Sequence, residues 1–239
     1  LRDGESQGRA NRPALIDMNG RIVRVWEMDP AAGVQGLIHR VRLLPNGNIT
    51  LLRIGDEKTK TRAGVQDYSW EGGLVWEYVS PPDAWPHHDF YRKNDGATLL
   101  VCKEAVPERI RMKARHPLQR QMLFADAIRE ISPAGQLLWE WHQYDSIPIE
   151  RQARVIAPPD WWAGIENNSY ADWTHTNTVR PLPENRWFDS GDARFRPGNV
   201  LVMLRQLDVA FIVDRETKRI VWEYTGDYKG GLAGPHEAE

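Results

Sequence analysis

The chain has 239 residues, of which 41 % are hydrophobic, and its formal net charge is −2 at neutral pH. This composition is typical of a globular protein with a sizeable core, and the near-neutral charge argues against nucleic acid as a partner. The single cysteine rules out an internal disulfide framework, and no apolar stretch has the length of a membrane span.

A phrase recurs along the chain in which a glycine and a tryptophan are followed by a histidine, a turn dipeptide and an aliphatic run. The first copy contains Gly20, Trp26, His39 and the dipeptide Asn46-Gly47. Asn-Gly between alternating apolar runs is a hairpin signal, because the central positions of such turns favour positive φ. The first copy therefore predicts short strands joined by a tight turn.

The second copy repeats this order with Trp76, His88 and Asp95-Gly96. In both copies the turn glycine follows the histidine by eight residues, so we expect the histidine at one structural position. The run Leu74-Val-Trp-Glu-Tyr78 has the composition and length of a strand.

The chain between the second and third copies interrupts this pattern. Residues 107–129 place apolar side chains at roughly helical spacing, and we interpret the second half as a short helix or an inserted loop. Residues 147–168 are rich in proline and include Trp161 and Trp162, which predicts an irregular insertion over one face.

The third copy contains Trp139, His175 and the run that begins at Arg196. The fourth copy contains Trp222 and reaches His236 shortly before the sequence ends. A unit of this size that carries several short strands predicts an all-β β-propeller, in which four-stranded blades surround a central channel. About four blades are visible, so we expect an incomplete part of a larger ring.

The domain prediction follows from this repeat. Residues 1–13 are expected to be disordered or a partial strand, and residues 14–239 to form the propeller blades, truncated at the carboxyl end.

The tryptophans divide into two sets. Trp26, Trp76, Trp139 and Trp222 share one repeat position, which predicts packing between blades because an indole buries a large area. Four others lie outside this register, and either pocket lining or packing under insertions fits them: Trp85, Trp161, Trp162 and Trp173.

The repeat places four histidines at one position: His39, His88, His175 and His236. A single histidine is more often structural, but four at one register of a propeller point toward the central channel. Divergence from an ancestral repeat would also leave inert copies. The off-register histidines receive no role: His87, His116 and His142.

Further motifs lie beside these histidines: Leu44-Pro-Asn-Gly-Asn48, Asp172-Trp-Thr-His-Thr-Asn177, Leu204-Arg205, Val209-Ala-Phe-Ile-Val-Asp214, Ile220-Val-Trp222 and the terminal Gly-Pro-His236. This set resembles the bacterial arylsulfate sulfotransferases, from about Ala14 to the end. The Asp-Trp-x-His-x-Asn block with its downstream arginine is the specific part. Two features depart from the family pattern: Pro235 stands in place of a glutamine, and residues 184–196 lengthen the segment before Arg205.

The resemblance implies a six-bladed, periplasmic or secreted propeller that moves a sulfuryl group from an aryl sulfate to a phenol. It implies His236 as the nucleophile that becomes sulfated, His88 and His175 as channel histidines, and Arg205 as the channel arginine. Asn177, Trp173 and His39 are expected to contact substrate. The expected partners are small-molecule aryl sulfates and phenols, without nucleic acid or membrane, and the mechanism requires no metal or other cofactor.

The proposed chemistry is reasonable for these residue types. Sulfuryl transfer resembles phosphoryl transfer, in which catalysis depends on positioning and on fixed positive donors. Neutral imidazole is a competent nucleophile near neutral pH, and the arginine fork matches the sulfate oxygens.

Two other readings stay open at this point. Three or four converging imidazoles would also bind a transition metal, with Asp89 and Asp172 behind them, although Arg205 would repel the cation. A histidine-based lyase belongs to the same class. A non-catalytic binding or scaffold propeller is the other alternative, because one fold hosts many functions.

Overall fold

The computed structural model describes residues 12–29, 31–55, 61–151, 171–227 and 230–238. These residues form one two-stranded sheet and three four-stranded antiparallel sheets, with helices of five residues or fewer. The all-β prediction is confirmed. Residues 1–11, which make up most of the segment expected to be disordered or a partial strand, lie outside the described residues.

The chain divides into two compact units, residues 1–87 and 88–239. The first unit has a small core in which Trp26 packs with Ile49, Leu51 and Tyr68. Its strands are β1 (Ala14–Ile16), β2 (Ile22–Val25), β3 (Leu37–Leu43), β4 (Ile49–Ile54), β5 (Gly64–Tyr68) and β6 (Leu74–Val79).

The second unit contains most of two four-stranded sheets; the boundary falls within β7. Their facing surfaces supply one apolar core, with Val101 from one sheet and Phe211 from the other among its buried members. The strands are β7 (Trp85–Arg92), β8 (Thr98–Ala105), β9 (Phe124–Ile131), β10 (Leu137–His142), β11 (Thr176–Pro181), β12 (Val200–Leu204), β13 (Val209–Val213) and β14 (Ile220–Tyr224).

Each four-stranded sheet is an up-and-down meander in which sequential strands are neighbours. The repeat residues fall on corresponding strands of the three sheets. His39 and His88 lie in the first strand of their sheets, and His175 directly precedes the first strand of the third. The repeat tryptophans lie on the last strands: Trp76 in β6, Trp139 in β10 and Trp222 in β14.

The predicted hairpin turns are present, but they are longer than a two-residue turn. Only the glycines Gly47 (φ 84°) and Gly96 (φ 81°) have positive φ. Asn46 and Asp95 instead accept hydrogen bonds from the backbone N–H two residues onward. Three-residue turns of this kind need one left-handed position, which the glycine supplies.

The prediction for residues 107–129 is partly wrong. Two short helices form, α1 (Glu108–Arg111) and α2 (Pro117–Gln121), but the second half becomes β9. β9 pairs with β8 along its whole length and with β10 on its other side. The side chains of β9 are buried on both faces of the sheet, so its apolar residues do not alternate with polar ones, and the sequence periodicity does not identify the strand.

The insertions differ in how far they are described. Residues 184–196 fold into α4 (Arg186–Asp189) and a 3₁₀ helix (Ala193–Phe195). A further helix, α3 (Gln143–Ser146), precedes the other insertion, whose residues Ile147 and Ile149 are buried in the core. Trp161 and Trp162 lie outside the described residues.

The prediction that the repeat tryptophans pack in the core is confirmed for Trp26, which is 1 % exposed. Trp76, Trp139 and Trp222 are half-buried. They lie on last strands, where one side of the strand has no partner within its own sheet.

Candidate functional site

Two histidines from different sheets face each other in the second unit. His88 Nε2 lies 3.2 Å from His175 Nε2, and the rings meet edge to face with centroids 4.5 Å apart. At this distance one of the two nitrogens must carry the proton that joins them. The pair therefore shares a proton, as a proton-transfer site requires.

The backbone at both histidines is left-handed, with φ of 54° at His88 and 50° at His175. This conformation costs a non-glycine residue roughly 1–2 kcal/mol. Such strain persists where the surrounding structure fixes it, and it is concentrated at functional sites. His88 and His175 therefore share this backbone geometry, whereas His39, at the same repeat position, does not.

A carboxylate and an ammonium group stand behind the pair. His175 Nδ1 lies 2.5 Å from Asp172 Oδ2, and Lys103 Nζ lies 3.0 Å from the same oxygen. Burial alone would raise the pKa of Asp172, but the hydrogen bond from His175 and the charge of Lys103 outweigh it and hold that pKa below its usual value. Asp172 is therefore ionised near neutral pH.

Two further aspartates, both fully buried, clamp the strand that begins at His175. Asp89, next to His88, accepts a hydrogen bond from the Val179 backbone N–H at 3.1 Å. Asp126 of β9 accepts from the backbone N–H of Thr176 at 2.5 Å and from the hydroxyl of Thr174 at 3.2 Å. These bonds hold β11 against β7 and β9, which fixes the two histidines relative to each other.

Arg205 directly follows β12, opposite His175. Its backbone N–H donates to the His175 carbonyl at 3.0 Å, and its side chain is partly exposed. The predicted channel arginine and channel histidine are thus backbone neighbours at one end of the third sheet.

The segment that carries His236 lies along β11. The side-chain amide of Asn177 donates to the Pro235 carbonyl at 3.1 Å, and the Thr178 hydroxyl donates to the His236 carbonyl at 2.9 Å. Arg180 Nη2 lies 3.3 Å from Glu237 Oε1, while Nη1 of the same guanidinium bonds Asp89. The His236 side chain itself is exposed.

The segment has a fourth attachment point. Gly234 N–H donates to Asp208 Oδ1 at 2.7 Å, and Asp208 is itself held at a φ of 51°. Four separate contacts therefore fix residues 234–237 on the second unit.

The structure brings some predicted site residues together and places others elsewhere. The rings of His88 and His175 meet, and Arg205 is bonded to His175 through the backbone, whereas His236 lies on the segment attached to β11 at Asn177 and Thr178. His39 is exposed on β3 of the first unit and lacks the left-handed backbone of His88 and His175.

The two residues expected to contact substrate from the third sheet have structural contacts instead. Trp173 is 2 % exposed, belongs to the apolar core and donates its indole N–H to the Arg151 carbonyl at 2.7 Å. Asn177 is 3 % exposed and uses its amide N–H to hold the terminal segment.

Neither a metal-ligand cluster nor a spanning helix occurs in the part of the chain that the structure describes. No three His, Cys, Asp or Glu side chains are grouped there to hold a metal ion. No described helix has the length and apolarity needed to cross a membrane.

Comparison with known families gives the context for this geometry. The model for arylsulfotransferase (ASST) matches residues 64–233, which include the paired histidines, Asp172 and Arg205. The chain belongs to the arylsulfotransferase family. Membership indicates a transferase acting on small aryl substrates. His236 lies just beyond the matched residues.

Two other comparisons add no functional assignment. No curated protein matches the chain. The arylsulfotransferase chain is similar to a crystal structure of a protein of unknown function from Bacteroides caccae, with 13 % identity and a TM-score of 0.38. That similarity covers 89 % of this chain and 68 % of the other.

Sequence reasoning missed several groups that build this site. Lys103 and Asp126 lie on β8 and β9, outside the repeat motif, and Arg180 lies three residues after the Asp-Trp-x-His-x-Asn block. Sequence reasoning gave Asp172 a place only as the first residue of the Asp-Trp-x-His-x-Asn motif and as a support behind a metal. An aspartate three residues before a histidine is a common sequence, so only the fold reveals that the two side chains meet.

Proposed function

We propose that this arylsulfotransferase moves a sulfuryl group from an aryl sulfate to a phenol by ping-pong transfer through a sulfated His236. The observation that carries the proposal is the His88–His175 pair, whose Nε2 atoms are 3.2 Å apart and backed by an ionised Asp172. Such a pair supplies the proton donor and acceptor that the two half-reactions need.

The first half-reaction forms a bond between a His236 ring nitrogen and the sulfur of the donor. The bond from sulfur to the aryl oxygen breaks, and its electron pair leaves with the phenolate. The His88–His175 pair, which at the start carries one proton more than two neutral imidazoles, gives that extra proton to the oxygen, so a neutral phenol departs and the pair is left neutral. His236 remains as the sulfohistidine.

The second half-reaction runs in reverse with the acceptor. The acceptor phenol gives its proton to the histidine pair while its oxygen attacks the sulfur. The bond between sulfur and the His236 nitrogen breaks, and its electron pair returns to the imidazole. The products are a new aryl sulfate and free His236.

Arg205 provides the fixed positive charge in this scheme. Sulfuryl transfer has a loose transition state with charge on the equatorial oxygens, and a guanidinium fork matches two of them. The backbone bond between Arg205 and His175 supports this role, because it anchors Arg205 at the strand end next to His175.

His236 is held in reach by the attachments of its own segment. Thr178, which binds the His236 carbonyl, lies three residues beyond His175, roughly 10 Å along an extended chain. Asn177 acts in this proposal by fastening that segment through the Pro235 carbonyl, and Trp173 acts as a buried core residue two positions before His175.

The sheet arrangement supports the wider family architecture. Three up-and-down sheets that place histidine on or next to the first strand and tryptophan on the last strand fit blades of one β-propeller. We include in the proposal that these sheets are blades of a six-bladed ring in a periplasmic or secreted enzyme.

The deciding experiment is intact-protein mass spectrometry after mixing the protein with 4-nitrophenyl sulfate in the absence of acceptor. We expect the wild type to gain one SO3 group and His236→Ala to gain none. His116→Ala, which changes a histidine outside the site, is the matched control and should be sulfated like the wild type.

The result also distinguishes the competing assignments. An adduct that survives in His236→Ala but disappears in His88→Ala or His175→Ala would move the nucleophile to the pair. Absence of any adduct, with no nitrophenol released on adding phenol, would overturn the sulfotransferase proposal and favour a binding propeller.

A further inference from the structure

A continuous line of polar contacts runs into the histidine pair from the interior of the second unit. Lys103 Nζ lies 3.0 Å from Asp172 Oδ2, the same oxygen lies 2.5 Å from His175 Nδ1, and His175 Nε2 lies 3.2 Å from His88 Nε2. One carboxylate oxygen therefore bonds the ammonium group and the imidazole at once.

The backbone fixes the position of this carboxylate. Asp172 forms a parallel bridge with Phe124, the first residue of β9, and the Trp173 N–H donates to the Phe124 carbonyl at 3.0 Å. Lys103, from the neighbouring strand β8, pairs in register with Asp126 of β9. Strand β9 thus fixes the backbone of Asp172, and the neighbouring strand β8 supplies the Lys103 ammonium group that contacts its carboxylate.

The two carboxylate oxygens of Asp172 differ in their contacts. Asp172 Oδ1 is buried and has no hydrogen-bond partner among the described residues. A buried oxygen in that state costs stability. Among the described residues, Lys103 and His175 are the two groups bonded to this carboxylate, and both bond Oδ2, so these two groups orient it.

We propose that Asp172, braced by Lys103, is a positioning residue that holds His175 as the Nδ1–H tautomer with Nε2 directed at His88. An ionised carboxylate accepts hydrogen bonds and cannot donate one, so the nitrogen facing it must carry the proton. His175 Nε2 is then the atom that exchanges a proton with His88. Without this constraint the ring is free to adopt the other tautomer or to turn away.

This arrangement assigns separate roles within the pair. Asp172 also stabilises the positive charge that His175 carries when both of its nitrogens are protonated. His175 is therefore the member that holds the transferable proton in the resting enzyme, gives it up in the first half-reaction and regains it in the second, and His88 is the member through which the proton reaches or leaves the substrate. The last assignment rests on the proposed sulfuryl transfer.

Nitrogen-15 NMR of the histidine side chains tests the tautomer without any substrate. In the wild type we expect two imidazole Nδ1–H protons downfield, because His142 Nδ1 also faces a carboxylate, that of Glu104, and the His175 proton is identified by its loss in His175→Gln. In Asp172→Asn this resonance should move upfield, because a neutral acceptor forms a weaker bond. In Asp172→Leu, His175 should populate the Nε2–H tautomer.

Lys103 and a matched surface lysine complete the experiment. Lys103→Met should shift the same resonance, whereas Lys113→Met, on the exposed segment after α1, should leave it unchanged. If the Asp172→Leu variant does not fold, the double variant Lys103→Met/Asp172→Leu takes its place in the experiment, because it removes both charges of the ion pair. A wild-type His175 in the Nε2–H form, or an unchanged spectrum in the folded Leu variant, would overturn the proposal.

Kinetics provides the second readout. For turnover of 4-nitrophenyl sulfate we expect Asp172→Asn to lower kcat by about 100-fold, the lower end of general acid–base catalysis, with little change in KM. A rise in KM at constant kcat would instead assign Asp172 to substrate binding. Loss of the proposed function itself would appear as an inactive wild type with its NMR signature intact.

Discussion

His88 and His175 adopt the same left-handed backbone conformation, with φ of 54° and 50°, and their Nε2 atoms meet at 3.2 Å. His88 lies within the first strand of its sheet and His175 directly before the first strand of the next, so these two copies of the repeat share the backbone conformation as well as the residue type. The unusual φ turns each ring out of the ordinary alternation of a strand. This relationship creates the proton-sharing pair.

The backbone strain at His88 predicts an inverted ranking of small substitutions. We expect His88→Gly to be about 1 kcal/mol more stable than His88→Ala, because only glycine adopts positive φ at little cost. At His87, which lies in the same strand without positive φ, alanine should be more stable than glycine. Urea unfolding of the four variants measures this; the same ranking at both positions would contradict it.

Arg180 serves two carboxylates of different burial, and this predicts unequal effects. Asp89 is fully buried, whereas the Glu237 side chain is 43 % exposed. Arg180→Met removes the cation facing a buried charge and should lower the free energy of unfolding by about 3 kcal/mol. Glu237→Gln should lower it by less than about 1 kcal/mol.

Denaturant titration of both variants and the wild type tests this difference. Equal losses would show that the Arg180–Asp89 pair contributes no more than the surface contact. The same variants also test the attachment of the terminal segment. Loss of the contact between Arg180 and Glu237 should slow sulfation of His236 even when the fold is retained.

His142 predicts a pH dependence of stability. Its hydrogen bond with Glu104 and the nearby charges of Glu104 and Glu140 raise its pKa, although burial opposes this. A group whose folded pKa is raised stabilises the fold fully below its unfolded pKa, about 6.5. That stabilisation is lost as the pH rises through the folded pKa above 6.5.

Glu104→Gln should therefore destabilise the protein more at pH 6 than at pH 9, as measured by urea unfolding across that range. Glu140→Gln is the matched control with a smaller expected effect, because its oxygen lies 3.4 Å from His142 Nε2 and its side chain is 30 % exposed. A larger effect of Glu104→Gln at pH 9 than at pH 6 would refute the role given to His142.

The guanidinium of Arg205 predicts a loss of activity that a lysine cannot restore. Arg205→Lys should reduce kcat/KM for aryl sulfate by about 100-fold or more, because an ammonium group lacks the bidentate fork. Stability should be nearly unchanged, since the bond to His175 uses the Arg205 backbone. Arg196→Lys, in the loop before β12, should retain full activity; equal activity of both variants would exclude Arg205 from the site.

Local signals in the sequence located many elements because their causes are local. Gly47 and Gly96 marked the hairpins, since a turn needs a residue that tolerates positive φ. The repeated tryptophans and histidines marked recurring positions, which the structure places on the last strands and on or next to the first strands of the sheets. The turn type was still wrong, because Asn46 and Asp95 use their side chains to bond the backbone and keep negative φ.

Residues 107–129 show where sequence reasoning loses its basis. Ala127 and Ile128 are among the apolar residues at roughly helical spacing, yet they lie in β9, a strand whose side chains are buried on both faces. Periodicity reports burial on one face, so it cannot distinguish a doubly covered strand from a helix.

The all-β class, the repeat and the recurrence of histidine at one repeat position could be read from the amino-acid sequence, since these features depend on neighbouring residues and regular spacing. The folded structure was needed to show that Lys103, 69 positions before Asp172, contacts the same Asp172 oxygen as His175, and that Trp173 belongs to the core. Such contacts depend on which strands lie side by side. Strand neighbourhood is set by the packing of whole sheets, and no short motif encodes it.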